Sequence, residues 1–207
     1  MADLLETVII DYGMGNLRSV EKTVEAIGGR PVITGSPDAV RKAARLILPG
    51  VGAFGDAMEN LRQSGLDDAI RDAVNSGMPL LGLCLGLQLI FTQSEEFGHH
   101  EGLNLIPGSV RRFNDPGLRV PHVGWNQIEG SQPNPLLENI PEGAYFYFVH
   151  SFFVEPARTE DVLRWTDYGR RFCSIACRDN VWGAQFHPEK SQNAGKQLLR
   201  NFLALKS

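Results

Sequence analysis

The 207 residues are 43% hydrophobic and 21% charged, with a formal net charge of -4, a balance that supports one sizeable core and argues against disorder. That charge leaves no electrostatic footprint for nucleic acid or an anionic membrane, so small molecules and proteins are the expected ligands. No linker interrupts the chain, and one domain over residues 1–207 is expected.

From the N-terminus, Asp3 and Glu6 stand where a basic n-region would be needed, so no signal peptide and a cytoplasmic location are expected. Val8 to Asp11 reads as a strand. Asn16 to Ile27 reads as a helix with Leu17, Val20, Val24 and Ile27 on one face, stopped by Gly28-Gly29. Val32 to Thr34 is a second strand, and Ser36-Pro37 then places a capping hydroxyl before a proline. Leu46 to Leu48 is a third strand, followed by a glycine-rich loop from Pro49 to Met58. Leu66 to Val74 is helical, and Pro79 to Leu83 is a strand running into a helix near Leu85. The apolar stretch from Met78 to Ile90 is too short to span a bilayer.

After about Gly102 the pattern changes to short aromatic and β-branched strands, such as Ala144 to Val149 and Val181 to Phe186, expected to form an added, partly antiparallel layer. Ser191 is expected to cap a final helix burying Leu198, Leu199, Phe202, Leu203 and Leu205. The fold class is therefore α/β: a three-layer α/β/α sandwich on a mostly parallel sheet with an added antiparallel portion.

Gly82-Leu83-Cys84-Leu85-Gly86 has the form of a nucleophile elbow, with a reactive side chain at the apex of a strand-turn-helix and room for no Cβ at the two glycines. The helix start favours a thiolate at Cys84, and the Leu85 N–H would face a developing oxyanion. Alone, the motif is equally a well-packed turn around a buried cysteine. Cys173 and Cys177, spaced to share one face of a strand, read as core residues. Three cysteines are an odd number, and they suit neither a disulfide framework nor zinc.

Phe186-His187-Pro188-Glu189 places an imidazole and a carboxylate two residues apart after a strand. Such a pair could serve a cysteine as base and orienting group, although most such tripeptides are surface loops. Gly50-Val51-Gly52 follows the third strand, where active-site loops gather. Glycine at 50 would let a peptide rotate so that an oxyanion amide is shown in one state and hidden in another. His99 and His100 lie in a polar loop, and His122 and His150 have no carboxylate nearby in sequence, so these four are weaker candidates.

Together these segments resemble class I glutamine amidotransferases, whose Cys-His-Glu triad joins a G-x-C-x-G elbow to a C-terminal H-P-E run. Further segments, Asp11 to Leu17, Pro49 to Met58, Pro121 to Asn126, Tyr147 to Ser151 and Phe186 to Ser191, extend the resemblance over nearly the whole chain. They are similar to the glutaminase subunit of a heterodimeric member. Phe152 departs from the pattern, standing where tyrosine is more usual.

The resemblance implies that Cys84, His187 and Glu189 are catalytic and that Val51 and Leu85 supply oxyanion amides. It also implies that Gly52, Gln88, His150 and Ser151 hold the glutamine backbone. Asn16, Trp125, Tyr147 and Lys190 would face a cyclase partner with a (β/α)8 barrel that receives ammonia, with no cofactor or metal. The competing readings are a glutaminase for another synthase, a catalytically dead regulatory domain, and a DJ-1-like or PfpI-like protein. The intact triad argues against the second, and the terminal His-Pro-Glu against the third.

Overall fold

The computed structural model describes residues 6–205; Asp3 lies outside them. In chain order the first half runs β1 (Glu6–Ile10), α1 (Leu17–Ala26), β2 (Arg30–Thr34), α2 (Pro37–Arg41), β3 (Leu46–Gly50), α3 (Phe54–Gln63), α4 (Leu66–Asn75), β4 (Leu80–Cys84) and α5 (Leu85–Leu89). The second half is mostly strand: β5 (Phe91–Ser94), β6 (His100–Glu101), β7 (Ile106–Arg112), β8 (His122–Gln127), β9 (Tyr145–His150), β10 (Phe152–Pro156), β11 (Val162–Asp167), β12 (Arg171–Arg178) and β13 (Val181–Ala184). It closes with α6 (Gln192–Ala204).

Strands β2, β1, β3, β4 and β13 lie side by side and parallel. Both faces of β3 and β4 are buried, which is why their sequences are continuous apolar runs rather than alternating ones. One face packs on α2 to α5 through Val40, Phe54, Leu61, Ile70 and Leu87, against Val8, Ile10, Leu46 and Leu48. The other packs on α1 and α6 through Val20, Val24, Leu198 and Phe202, against Ile9, Ile47, Leu81 and Leu83. The three layers expected from the sequence are present.

Several details differ from expectation. The strand beginning at Val181 is the junction of the two portions: β13 pairs antiparallel with β12 and in parallel with β4, Leu83 opposite Ala184, and so enters the central sheet. The antiparallel strands β12, β10 and β7 extend that same sheet, while among the described residues only the β8–β9 ribbon leaves it, closing one side with Phe146 and Phe148. The glycine-rich loop after β3 ends at Ala53, where α3 starts; Phe54, Ala57, Met58 and Leu61 make its buried stripe. Ser36 caps α2 as expected, accepting from Ala39 N at 3.4 Å. Ser191 precedes α6 but does not cap it. Its hydroxyl donates to His187 O at 2.6 Å and accepts from Tyr147 N at 3.0 Å, locking the His-Pro-Glu segment to β9.

Cys173 and Cys177 do not share a face. Pairing between β11 and β12 slips between Trp165–Cys173 and Arg164–Ile175, so Ser174 is an extra residue and the side-chain alternation inverts beyond it. Cys173 packs on the α3–α4 side and Cys177, only half-buried, on the α1–α6 side. Burial drives the Cys173 thiol far up in pKa and Cys177 to about 11, so neither is poised as a nucleophile. Cys173→Ser is expected to cost about 1 to 3 kcal/mol by placing a hydroxyl in apolar surroundings. Cys177→Ser should cost less, because Asn134 Nδ2 already points a donor at that sulfur from 3.6 Å. Urea unfolding of both variants tests this ranking, and an equal or larger loss in Cys177→Ser would contradict it.

Candidate active site

Three parallel strands end next to one another at the carboxyl edge of the sheet, where ligands bind in open α/β folds. Gly50 of β3 pairs with Cys84 of β4, and Ala184 of β13 lies one residue below, opposite Leu83. Cys84 has φ 54° and ψ -106°, a backbone state rarely adopted by residues carrying a Cβ and typical of a nucleophile held at an elbow. Both flanking glycines are required: a Cβ on Gly82 would strike the Gly86 carbonyl, and one on Gly86 the Leu48 carbonyl. Cys84 is 8% exposed, and that face opens on a cleft of about 810 Å³.

Beyond β13 the chain bends at Gln185 and Phe186 and reaches His187, whose N–H donates to Tyr147 O at 2.9 Å. Pro188–Lys190 then forms one 3-10 turn, which brings Glu189 back to the ring. His187 Nδ1 lies 2.8 Å from Glu189 Oε1, and both side chains are almost wholly buried. The carboxylate therefore holds the Nδ1–H tautomer and leaves Nε2, which has no hydrogen-bond partner, free to take a proton. Burial lowers the basicity of the ring. Interaction with Cys84 and with the Glu189 carboxylate outweighs it and raises the pKa to about 10.

Val51, Gly52, Leu85 and Gln88 line the same cleft on the elbow side, and His150, Ser151 and Lys190 line it opposite. Gln88 turns its amide nitrogen inward, to Phe152 O at 3.1 Å and Gln185 Oε1 at 3.4 Å, so its carbonyl oxygen is the atom left for a ligand. The His150 ring is equally committed. Nδ1 donates to Phe152 O at 2.8 Å, so Nε2 is an acceptor, and His122 Nδ1 donates to it at 2.9 Å. Burial holds His150 and His122 neutral, with pKa values lowered to about 3 and about 4. His150 can contact a ligand with its backbone, not its imidazole. Phe152 serves this network through its carbonyl, so the hydroxyl of a tyrosine there is not needed.

Residues 8–205 match the model of the glutamine amidotransferase class-I family. The chain belongs to this family. It is 53% identical over 203 residues to imidazole glycerol phosphate synthase subunit HisH of Syntrophotalea carbinolica, covering 94% of this chain and 98% of that protein. It is 50% identical over 194 residues to the same-named subunit of Moorella thermoacetica, covering 94% and 92%. Its fold is similar to that of a glutamine amidotransferase of known crystal structure, with TM-score 0.75, 20% identity and 95% and 96% of the two chains covered. It is also similar to a chain in the structure of PurLQS from Thermotoga maritima, with TM-score 0.75, 18% identity and 96% and 97% covered.

In this amidotransferase Gly50 is demanded by packing. Its φ is outside the left-handed region, and a Cβ there would collide with the Tyr12 hydroxyl and approach Leu85 Cβ to 3.0 Å. Tyr12 is pinned by donating to Pro49 O at 2.9 Å. Gly50→Ala therefore disturbs the elbow whether or not the peptide rotates. It is expected to lower the melting temperature by several degrees, with Tyr12→Phe restoring part of the loss in the double variant. Thermal unfolding of the two single variants and the double checks this; strict additivity would contradict it.

Asn16 is exposed at the start of α1 and lines a small crevice with Val51, His187 and Glu189. Trp125 and Tyr147 pair across the β8–β9 ribbon with ring centroids 6.0 Å apart, and Lys190 Nζ stands 5.9 Å from the Tyr147 ring. With Val123, Trp125 and Tyr145 each about half exposed, the ribbon presents an apolar face beside the triad.

Three buried residues of the site are not evident from sequence. Glu96 lines the cleft and accepts from Phe54 N at 2.7 Å, its pKa raised by burial against that hydrogen bond. Tyr12 and Gln185 pack behind the elbow. The only sequence trace of Glu96 is an acidic pair beside Phe97, indistinguishable from a solvated loop.

Proposed function

We propose that this chain is the glutaminase subunit of imidazole glycerol phosphate synthase, releasing ammonia from glutamine for a cyclase partner. The reading rests above all on Cys84 at a strained elbow, sharing one cleft with His187, whose ring Glu189 holds from behind. The names of relatives at 53% and 50% identity support the choice of synthase.

Cys84 gives its proton to His187 Nε2 and attacks the glutamine carboxamide carbon. The oxyanion is received by the amides of Val51 and Leu85. His187 returns the proton to the departing ammonia, leaving a glutamyl thioester. Water then attacks the thioester, its proton passing to His187, and glutamate leaves as the thiol is restored. Gly52, the Gln88 carbonyl oxygen, and the backbone at His150 and Ser151 hold the amino-acid end, where Glu96 provides negative charge for the α-ammonium.

Ammonia must remain unprotonated to act as a nucleophile, so its transfer requires a closed route. The partner is a (β/α)8 barrel docking over the β8–β9 ribbon, with Asn16, Trp125, Tyr147 and Lys190 in the contact. Among the described residues no helix is long and apolar enough to cross a membrane. The three free cysteines accord with work in the reducing cytoplasm. The test is glutamine hydrolysis by the purified chain with and without the cyclase: turnover should rise on adding the cyclase, and a rate indifferent to it would count against this assignment.

A further inference from the structure

We infer that Gln185 is a positioning residue for Cys84, presenting a buried amide N–H to the nucleophilic sulfur and favouring its ionised form. The inference rests on the reading of Cys84 as the nucleophile. Gln185 is fully buried where the chain leaves β13, its backbone N–H donating to Ser174 O at 2.9 Å. An apolar side chain would fill such a place without the desolvation cost an amide carries, so the groups that satisfy this amide are informative.

The network fixes which way the amide points. Gln88 Nε2 donates to Phe152 O at 3.1 Å, an acceptor only, so the nitrogen end of Gln88 faces inward. The atom of Gln185 that meets it at 3.4 Å is then Oε1, which turns Nε2 onto Cys84 Sγ at 3.9 Å. Phe152 O also receives His150 Nδ1 at 2.8 Å, and His150 is held in turn by His122, so the Gln88–Gln185 pair is anchored and cannot readily flip.

Cys84 Sγ has a second neighbour, Val149 O, also at 3.9 Å. The two neighbours suit two protonation states. A thiol can donate S–H to Val149 O. A thiolate has no proton to give, and as an anion it becomes the stronger acceptor for the Gln185 N–H, closing the long contact into a charge-assisted hydrogen bond. Gln185 thus adds a neutral donor on the side of the sulfur away from solvent, without placing another cation beside His187.

The test is the pH dependence of Cys84 alkylation by iodoacetamide, which reads the ionised sulfur directly. Wild type would be compared with Gln185→Met and Gln185→Leu, two apolar replacements of similar volume, with Cys84→Ala giving the background. Circular dichroism and ammonia-dependent synthesis with the cyclase would report folding and assembly. In whichever variant folds, alkylation at pH 7 should fall about tenfold, with the midpoint moving to higher pH and the same plateau reached above it. An unmoved midpoint would overturn the inference. So would a plateau lowered at every pH, which is the mark of a merely structural role. If instead wild-type Cys84 reacts no faster than the background and glutamine turnover survives in Cys84→Ala, the nucleophile reading itself fails.

Discussion

Replacing Cys84 with alanine should lower glutamine-dependent synthesis by the assembled enzyme by a factor on the order of 10⁴ or more, the scale seen when a covalent nucleophile is deleted. Ammonia-dependent synthesis by the same complex should be largely unchanged, because the proposed function gives that reaction to the cyclase. The fold should survive. The substitution removes one sulfur from a cleft-facing position and leaves the β3, β4 and β13 pairing untouched. Its structural cost is the Gln185 N–H left without an acceptor, roughly 1 to 3 kcal/mol. Parallel assays with glutamine and with ammonium salts separate the two losses; glutaminase turnover in purified Cys84→Ala would refute the assignment.

His187→Asn should be more damaging than Glu189→Gln by about 10², since in the proposed mechanism the imidazole makes every proton transfer and the carboxylate only holds it. The geometry gives the ranking a reason. Glu189 Oε1 accepts from Nδ1 at 2.8 Å, and in Glu189→Gln the amide oxygen can take that place. The amide nitrogen would then sit where Glu189 Oε2 is buried without a partner, so a stability loss should accompany the modest kinetic one. Losing the anion also weakens support for the imidazolium, so the pH profile of Glu189→Gln should shift to lower pH as the His187 pKa falls from about 10. Single-turnover hydrolysis measures both variants, and the reverse order would mean that Glu189 takes part in the chemistry directly.

The parallel half of the fold was legible because its signals are local. Continuous apolar runs, helical periodicity and the Ser36-Pro37 cap each lie within a few residues. The elbow was legible for the same reason, since the tight contacts of Gly82 and Gly86 exclude any Cβ. What failed to show depends on pairing between distant segments. Nothing local says that β13 joins the sheet in parallel beside β4, yet that crossover alone brings His187 to Cys84. A one-residue slip at Ser174 inverted the faces of Cys173 and Cys177. Glu96, Tyr12 and Gln185 escaped notice because their roles come from burial, and burial of a single polar residue leaves no periodic trace.

The central claim is that Cys84 attacks glutamine with His187 as its base, and a diazoketone analogue of glutamine tests it most directly by trapping the attacking atom. Incubated with the assembled enzyme and followed by peptide mass mapping, the analogue should add once per chain, on the peptide carrying Cys84. Glutaminase activity should disappear in step with labelling while ammonia-dependent synthesis persists, and His187→Asn should slow the labelling. Label on Cys173 or Cys177, or full labelling of Cys84 with glutamine hydrolysis intact, would contradict the account.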